Sequence, residues 1–325
     1  MTNDLRLHAA GDPELPALAA ALSEPGTELL GHRPGRRAVL REPDGHYVKV
    51  VRPRRTARVV NGFREAAARL TGRPGAPAVP RVCSADLTAG WVRLDELPGP
   101  SLHELLHTDP QTAAKLCVQV AGALAALGRA PTADLPGASP ASLPRHTHAD
   151  EAAVLHRWLA DADGRAGSGF IDRGAAVSDL LLALPDPQWA LCHRDLHDKQ
   201  LLRLNTTGGP TVGLLDLDTL CVADPALDAG NLLAHLLLRI LQGHCRPSTA
   251  TRCARILYAA SLDDGIAPAA LKAYITAALL RLAAVYTLRP GPPDLPARLA
   301  ATMVVWSDMD TASESRINEY WVPGQ

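Results

Sequence analysis

Lysine is nearly missing from this chain of 325 residues: Lys49, Lys115, Lys199 and Lys272 are all of it, and arginine supplies the other cations. A GC-rich genome would produce that bias. Charge of one sign is also lacking, since the formal net charge is −1, so no global field argues for nucleic acid or an acidic membrane surface as partner. The six cysteines include no C-x-x-C pair and no ligand cluster. Each sits in or beside an apolar run, which suits packing as a small hydrophobe in a reducing compartment. Met1 to Pro16 has no basic start followed by an apolar core, and the longest apolar stretches are interrupted by Arg, Asp or Pro. No signal peptide and no membrane span are therefore expected, and the expected location is the cytoplasm. No internal repeat is present.

What is present is a core-forming composition, 47% hydrophobic, enough for one large bilobal unit or two smaller ones. The first hundred residues read as short strands with one helix. Glu28 to Gly31 and Ala38 to Leu40 flank a Pro34-Gly35 turn as a hairpin, and His46 to Val51 is a third strand. Thr56 to Leu70 carries apolar residues near helical spacing. Val79 to Cys83 and Gly90 to Leu94 supply two more strands, and Leu97-Pro98-Gly99-Pro100 is a natural hinge. Beyond it helices dominate. Ser101 with Glu104 forms a capping box, Asp109-Pro110 opens a longer helix to about Leu127, and Arg129 to Pro144 reads as a surface loop. Helices are expected at Asp150 to Leu159, at Ala175 to Leu184 and in Ala/Leu-rich segments from Pro225 onward.

Two apolar runs end on charge. Cys192 is followed by His193-Arg194-Asp195-Leu196-His197-Asp198-Lys199-Gln200, and Val212 to Leu215 by Asp216-Leu217-Asp218. A carboxylate at the end of a buried strand is costly unless it binds a cation or accepts hydrogen bonds. The first stretch resembles the H-x-D-x-x-x-x-N catalytic loop of protein kinases, in the variant of aminoglycoside phosphotransferases and choline-kinase-like enzymes. Asp216 matches the metal-binding aspartate of that family, and Asp224-Pro225-Ala226-Leu227-Asp228 is similar to its D-P-A-x-D segment. The likeness runs over most of the chain.

That resemblance implies an α+β, bilobal protein-kinase-like fold: a nucleotide-binding lobe over residues 1–96 and a helical catalytic lobe over 97–325. It implies ATP and Mg²⁺ as cofactors and a small-molecule hydroxyl as acceptor, of aminoglycoside, sugar or amino-alcohol type. Asp195 would accept or orient the acceptor proton. Asp216 and Gln200 would hold the metal, with Gln200 standing where the family has Asn, and Asp218 would stand behind them. Lys49 would contact the α/β phosphates and Glu65, sixteen residues later on the helix, would orient it. Backbone groups of Asp95, Glu96 and Leu97 would read adenine. There is no G-x-G-x-x-G, so phosphate would be covered by backbone near Gly35 or by Arg36 and Arg37, unless that turn is a plain hairpin. His193 is expected to brace the loop backbone and Asp224 to cap the next helix, and Lys199 either reaches the phosphoryl group or is solvated.

The acceptor stays open. Asp308, Asp310, Glu314 and Glu319 would suit a cation, while Arg281 in its apolar helix would suit an anion. Arg52 to Arg58 would dock an acidic leader if the substrate were a Ser/Thr peptide. Gln200 and the missing glycine loop would fit a nucleotide-binding module without transfer.

Overall fold

The computed structural model describes residues 9–133, 143–167, 169–209 and 211–308. Five strands form an antiparallel sheet: β1 (Glu28–Arg33), β2 (Arg37–Arg41), β3 (Tyr47–Val51), β4 (Val82–Asp86) and β5 (Trp91–Leu94), in the order β1-β2-β3-β5-β4. Alternation along the strands divides its faces. Ala38, Leu40, Val48 and Val50 pack under Leu15 and under Leu18 and Leu22 of a short helix, α1 (Leu18–Ser23). On the other face Val51, Val92 and Leu94 join the main core. Lys49 belongs to that second face, opposite Val39 on one side and Val92 on the other, and is 5% exposed.

Helix α2 (Pro53–Leu70) crosses behind the sheet. It begins three residues before the expected Thr56 because Pro53, with its fixed φ and absent N–H, is suited to a first helical turn. Val59, Val60, Phe63, Ala66 and Leu70 face the core. The strand expected from Val79 begins later, at Val82. Pro80 has no N–H for a ladder, and Ala78 is committed elsewhere: its N–H donates to Val212 O, and Leu214 N–H donates to Ala78 O, each at 2.8 Å.

After the segment 95–100 come α3 (Leu102–Thr108) and α4 (Pro110–Gly128), started by the Ser101–Glu104 capping box and by Asp109, as the sequence indicates. Then follow α5 (His148–Ala166) and α6 (Ile171–Leu182). Four short strands pair as β6 (Ala190–Cys192) with β9 (Cys221–Ala223) and β7 (Leu201–Arg203) with β8 (Val212–Leu214). Between β6 and β7 lies the loop carrying Asp195, and Asp216 follows β8. Helices α7 (Ala226–Leu241), α8 (Pro247–Asp263), α9 (Pro268–Thr287) and α10 (Leu295–Asp308) complete the body. Nearly every residue of α7 is buried, and each of its leucines contributes about 1.5–3 kcal/mol on leaving water. Helix α9 is long and apolar enough to cross a membrane, but 78% of its apolar window is buried inside this protein.

One close approach sets the relation of the sheet region to the chemistry. A Cβ on Gly62 of α2 would stand 2.2 Å from Leu217 O, in the turn that follows Asp216. Only a glycine lets the helix rest on that backbone. Gly62→Ala should therefore cost about 1–3 kcal/mol by overpacking, whereas Gly122→Ala on α4, with open space around it, should be neutral or stabilising by up to about 1 kcal/mol. Urea unfolding of the two variants side by side checks this, and equal stabilities would contradict it.

Candidate active site

The loop after β6 is braced through its backbone. His193, fully buried, donates from Nε2 to Leu215 O at 2.7 Å, which leaves Nδ1 to accept from Asp195 N–H at 3.3 Å. It thus ties the loop to the segment between β8 and Asp216, the backbone brace expected from the sequence. Asp228 on α7 accepts from His193 N–H at 2.6 Å and from Arg194 N–H at 2.7 Å. Burial pushes the Asp228 carboxyl above its ordinary value, although these amides and His193 pull the other way. Asp224 accepts from the N–H of Ala226, the first residue of α7, at 2.8 Å, although Pro225 and not Asp224 holds the N-cap position. Arg194 (φ 72°) and Asp216 (φ 60°) are the non-glycine residues with left-handed backbone among the described residues. Strained backbone of this kind collects at functional sites.

Asp216 is the electrostatic centre. Its Oδ1 accepts from Lys49 Nζ at 2.5 Å and its Oδ2 from Arg37 Nη1 at 2.8 Å. Burial favours the neutral carboxyl, but the charges of Lys49 and Arg37 outweigh it and hold the Asp216 pKa well below the carboxylate range. Lys49 Nζ also lies 2.6 Å from Asp218 Oδ2. Asp218 Oδ1 is buried with no hydrogen-bond partner. Two carboxylates converging on one cation, one with an orphaned oxygen, form the hard all-oxygen donor set that suits Mg²⁺.

Arg37, Lys49 and Asp216 stand at one end of a cleft of about 620 Å³ between sheet and helices. Its other end is formed by Asp95, Glu96 and Leu97, with Val39, Leu94, Leu202 and Leu215 as apolar walls. Asp95 N–H is spent on Arg81 O at 3.1 Å, whereas the backbone of Glu96 and Leu97 is without a hydrogen-bond partner among the described residues. Gly99, at φ 146°, lets this segment pass within contact of Arg203 O, where a Cβ would stand 2.0 Å away. Asp195 lies in a smaller chamber opening off the charged end, with Asp216, Asp218 and Thr219.

Three expectations are corrected. Glu65 does not orient Lys49: it bonds Arg69, one turn along α2, at 2.8 Å, and Arg69 in turn holds Pro131 O and Ala133 O. Both side chains are buried, so each satisfies the other, and Lys49 finds its partners in Asp216 and Asp218. Gly35 N–H is likewise unavailable to phosphate, because it donates to Asp12 Oδ2 at 2.7 Å. Arg33 and Arg37 face the cleft in its place. Arg281 meets no substrate space: its Nη2 donates to Asn231 Oδ1 at 2.6 Å, with Glu151 at 3.9 Å. Gln200 is buried beside the cleft, and its Oε1 accepts from His197 N–H at 3.1 Å. The extra methylene relative to Asn lets it fold back on its own loop, and a second lone pair stays on that oxygen. Asp310, Glu314 and Glu319 lie outside the described residues, as does the Asp308 side chain.

Sequence reading gave no role to Asp198, which is fully buried in a paired arrangement. Arg239 of α7 reaches both its oxygens, from Nε at 2.8 Å and Nη2 at 2.9 Å, and His103 Nδ1 lies 2.7 Å away. Burial would raise the Asp198 pKa, but His103 and Arg239 hold it well below the usual range. Beside it His197 and His235 stack at 4.8 Å. Burial pushes His197 down to about 4, and His235 well below its ordinary value. An acidic residue followed by an arginine forty-one positions later carries no local signal, so this clamp was not legible.

Arg239→Met should destabilise by about 3–5 kcal/mol by stranding a buried charge, measured by urea unfolding at pH 7. The histidines add a pH dependence. The unfolded chain takes up their protons below about pH 6.5, while folded His197 does so only near 4. Their contribution is therefore complete above pH 6.5 and is lost as pH falls toward 4. His197→Asn, which keeps an acceptor for Lys199 N–H, should flatten the fall in melting temperature between pH 7 and 5, and an unchanged slope would contradict the assignment.

The comparisons with known proteins agree with this geometry. Residues 31–274, about three quarters of the chain, match the phosphotransferase enzyme family. No curated protein matches the sequence. Among solved structures, a choline/ethanolamine kinase family protein from Mesorhizobium loti is 18% identical with TM-score 0.56, the alignment covering 99% of each chain. The GDP complex of aminoglycoside 2'-phosphotransferase-IIIa is 16% identical with TM-score 0.56, covering 94% of this chain and 98% of that one. A macrolide 2'-phosphotransferase from Brachybacterium faecium is 18% identical with TM-score 0.51, covering 88% and 96%. The expected protein-kinase-like fold is the fold this chain has. With sheet, cleft, braced loop and charged centre in place, the chain belongs to the phosphotransferase enzyme family and is a phosphotransferase that uses a hydroxyl group as acceptor.

Proposed function

We propose that this protein transfers the γ-phosphoryl group of ATP, in the presence of Mg²⁺, to a hydroxyl of a small molecule. The observation that carries the reading is the convergence of Lys49, Asp216 and Asp218 at the end of a cleft whose far end offers the free backbone of Glu96 and Leu97. The apolar walls accept a flat base, and the unpaired backbone groups can hydrogen-bond its edge. Lys49 and Arg37, now neutralised by Asp216, would turn to phosphate oxygens. Asp216 and Asp218 would hold Mg²⁺, with Gln200 in reach of the same space. The metal, when bound, neutralises phosphate charge as it is redistributed in transfer.

Asp195 sits where the acceptor must come. It takes the hydroxyl proton as the acceptor oxygen bonds the γ-phosphorus and the bond to the β-phosphate breaks, the electron pair remaining on ADP. His193 and Asp228 keep Asp195 in place through the backbone and take no proton.

Gln200 favours a second reading, nucleotide binding without transfer, because its amide oxygen is engaged by His197 N–H. Thermal unfolding separates the readings from a chain with no nucleotide site at all. ATP with Mg²⁺ at about a hundred times Kd should stabilise the fold by about 2.7 kcal/mol, and no shift would sink both. Asp195→Asn should keep that shift while ADP release falls by about 10²–10⁴-fold. Unchanged turnover in Asp195→Asn would remove Asp195 from the chemistry, and absence of turnover in the unaltered chain with every acceptor class would leave the binding module.

A further inference from the structure

The chamber that holds Asp195 is lined by arginine. It measures about 140 Å³ and is walled by Arg33 at the end of β1, by Arg36 of the β1–β2 turn and by Arg55 and Arg58 of α2. No ion pair within 4.0 Å satisfies any of these four among the described residues. Neighbouring arginines are already committed: Arg37 to Asp216 and Arg52 to Glu14 at 2.9 Å. Among the described residues the chamber carries no carboxylates beyond Asp195, Asp216 and Asp218, and the last two are matched by Lys49 and Arg37.

Such crowding works against the fold. Arg55 and Arg58 are like charges three apart on the first turns of α2, near the positive end of its dipole, with no acidic residue there to offset them. Arg58 is held below its ordinary pKa by partial burial and by the nearby charges of Arg194 and Arg55. Arg33 is depressed in the same way by burial, Arg37 and Arg289. Like charges gathered on one chamber, with no ion-pair partner among the described residues, suit an anionic group, since the guanidinium fork matches phosphate and carboxylate. A nucleotide lying between the hinge and Lys49 would occupy the larger cleft, which Arg36, Arg55 and Arg58 do not line.

We propose that the acceptor is an anionic alcohol, a small molecule carrying a phosphate or carboxylate group that Arg36, Arg55 and Arg58 bind while its hydroxyl meets Asp195. The assignment rests on the phosphotransferase reading for the hydroxyl, but the anion pocket stands on its own geometry. It excludes polycationic acceptors, which this chamber repels.

The test uses the full chain. Titration calorimetry with inorganic phosphate, on protein saturated with Mg²⁺ and β,γ-imido-ATP, should give saturable binding that weakens at least tenfold in R55Q/R58Q and is partly kept in R55K/R58K. Both residues are exposed, and retained imido-ATP binding verifies that the glutamine variant is folded. In ADP-release assays, glycerol 3-phosphate and glucose 6-phosphate should exceed glycerol and glucose at least tenfold in kcat/KM, with choline and kanamycin below both. Absence of saturable phosphate binding to the loaded protein, equal binding by R55Q/R58Q, or preference for choline or kanamycin overturns the proposal. If phosphate binds through Arg55 and Arg58 but imido-ATP does not bind, the pocket stands and the phosphotransferase reading falls.

Discussion

The contact on which the site depends is that of Asp216 with Lys49 and Arg37. It joins the end of β8 to the middle of β3 and the start of β2, so the sheet and the helical body meet through opposite charges. In a partly buried setting the attraction offsets the cost of removing three ions from water only while all three are present. Asp218 makes the cluster four-membered and leaves one carboxylate oxygen without a partner. A cluster closed on itself would be a structural lock. One with an orphaned oxygen and a cleft beside it is left open to a further partner.

The surrounding polar groups keep that centre from moving. Asp228 holds two successive amides of the Asp195 loop from α7, His193 spans from the loop to Leu215, and Arg239 pins Asp198 from the same helix. Asp228, His193, Asp198 and Arg239 are buried, so removing a partner leaves each with a desolvation cost unmet. Placing the loop on a helix buried along nearly its whole length gives Asp195 a rigid seat, although Asp195 itself has few constraints and faces an open chamber.

Much of this was legible along the chain. Pro53, Ser101 with Glu104 and Asp109-Pro110 mark helix starts by local chemistry that the fold obeys. Lys49 is legible because a lysine in a β-branched strand, in a chain with almost no lysine, has few other reasons to be there. Glu65 illustrates the limit. Its spacing from Lys49 suits a pair, yet Arg69 is one helical turn away and equally buried, and the local partner wins. Gly35 fails for a related reason, since Asp12, far upstream, claims its amide.

By itself the sequence determined the family and the succession of a strand-rich and a helix-rich part. These depend on local spacing and on which residue types tolerate burial, and both are written in the chain. Only the tertiary structure decided the partners. Whether Lys49 meets Glu65 or Asp216, and whether arginines at the end of β1 and on α2 come to line one chamber with Asp195, depends on packing between segments far apart in sequence. The energy of a charged contact falls with distance and rises with exclusion of water, and neither quantity exists before the chain has folded.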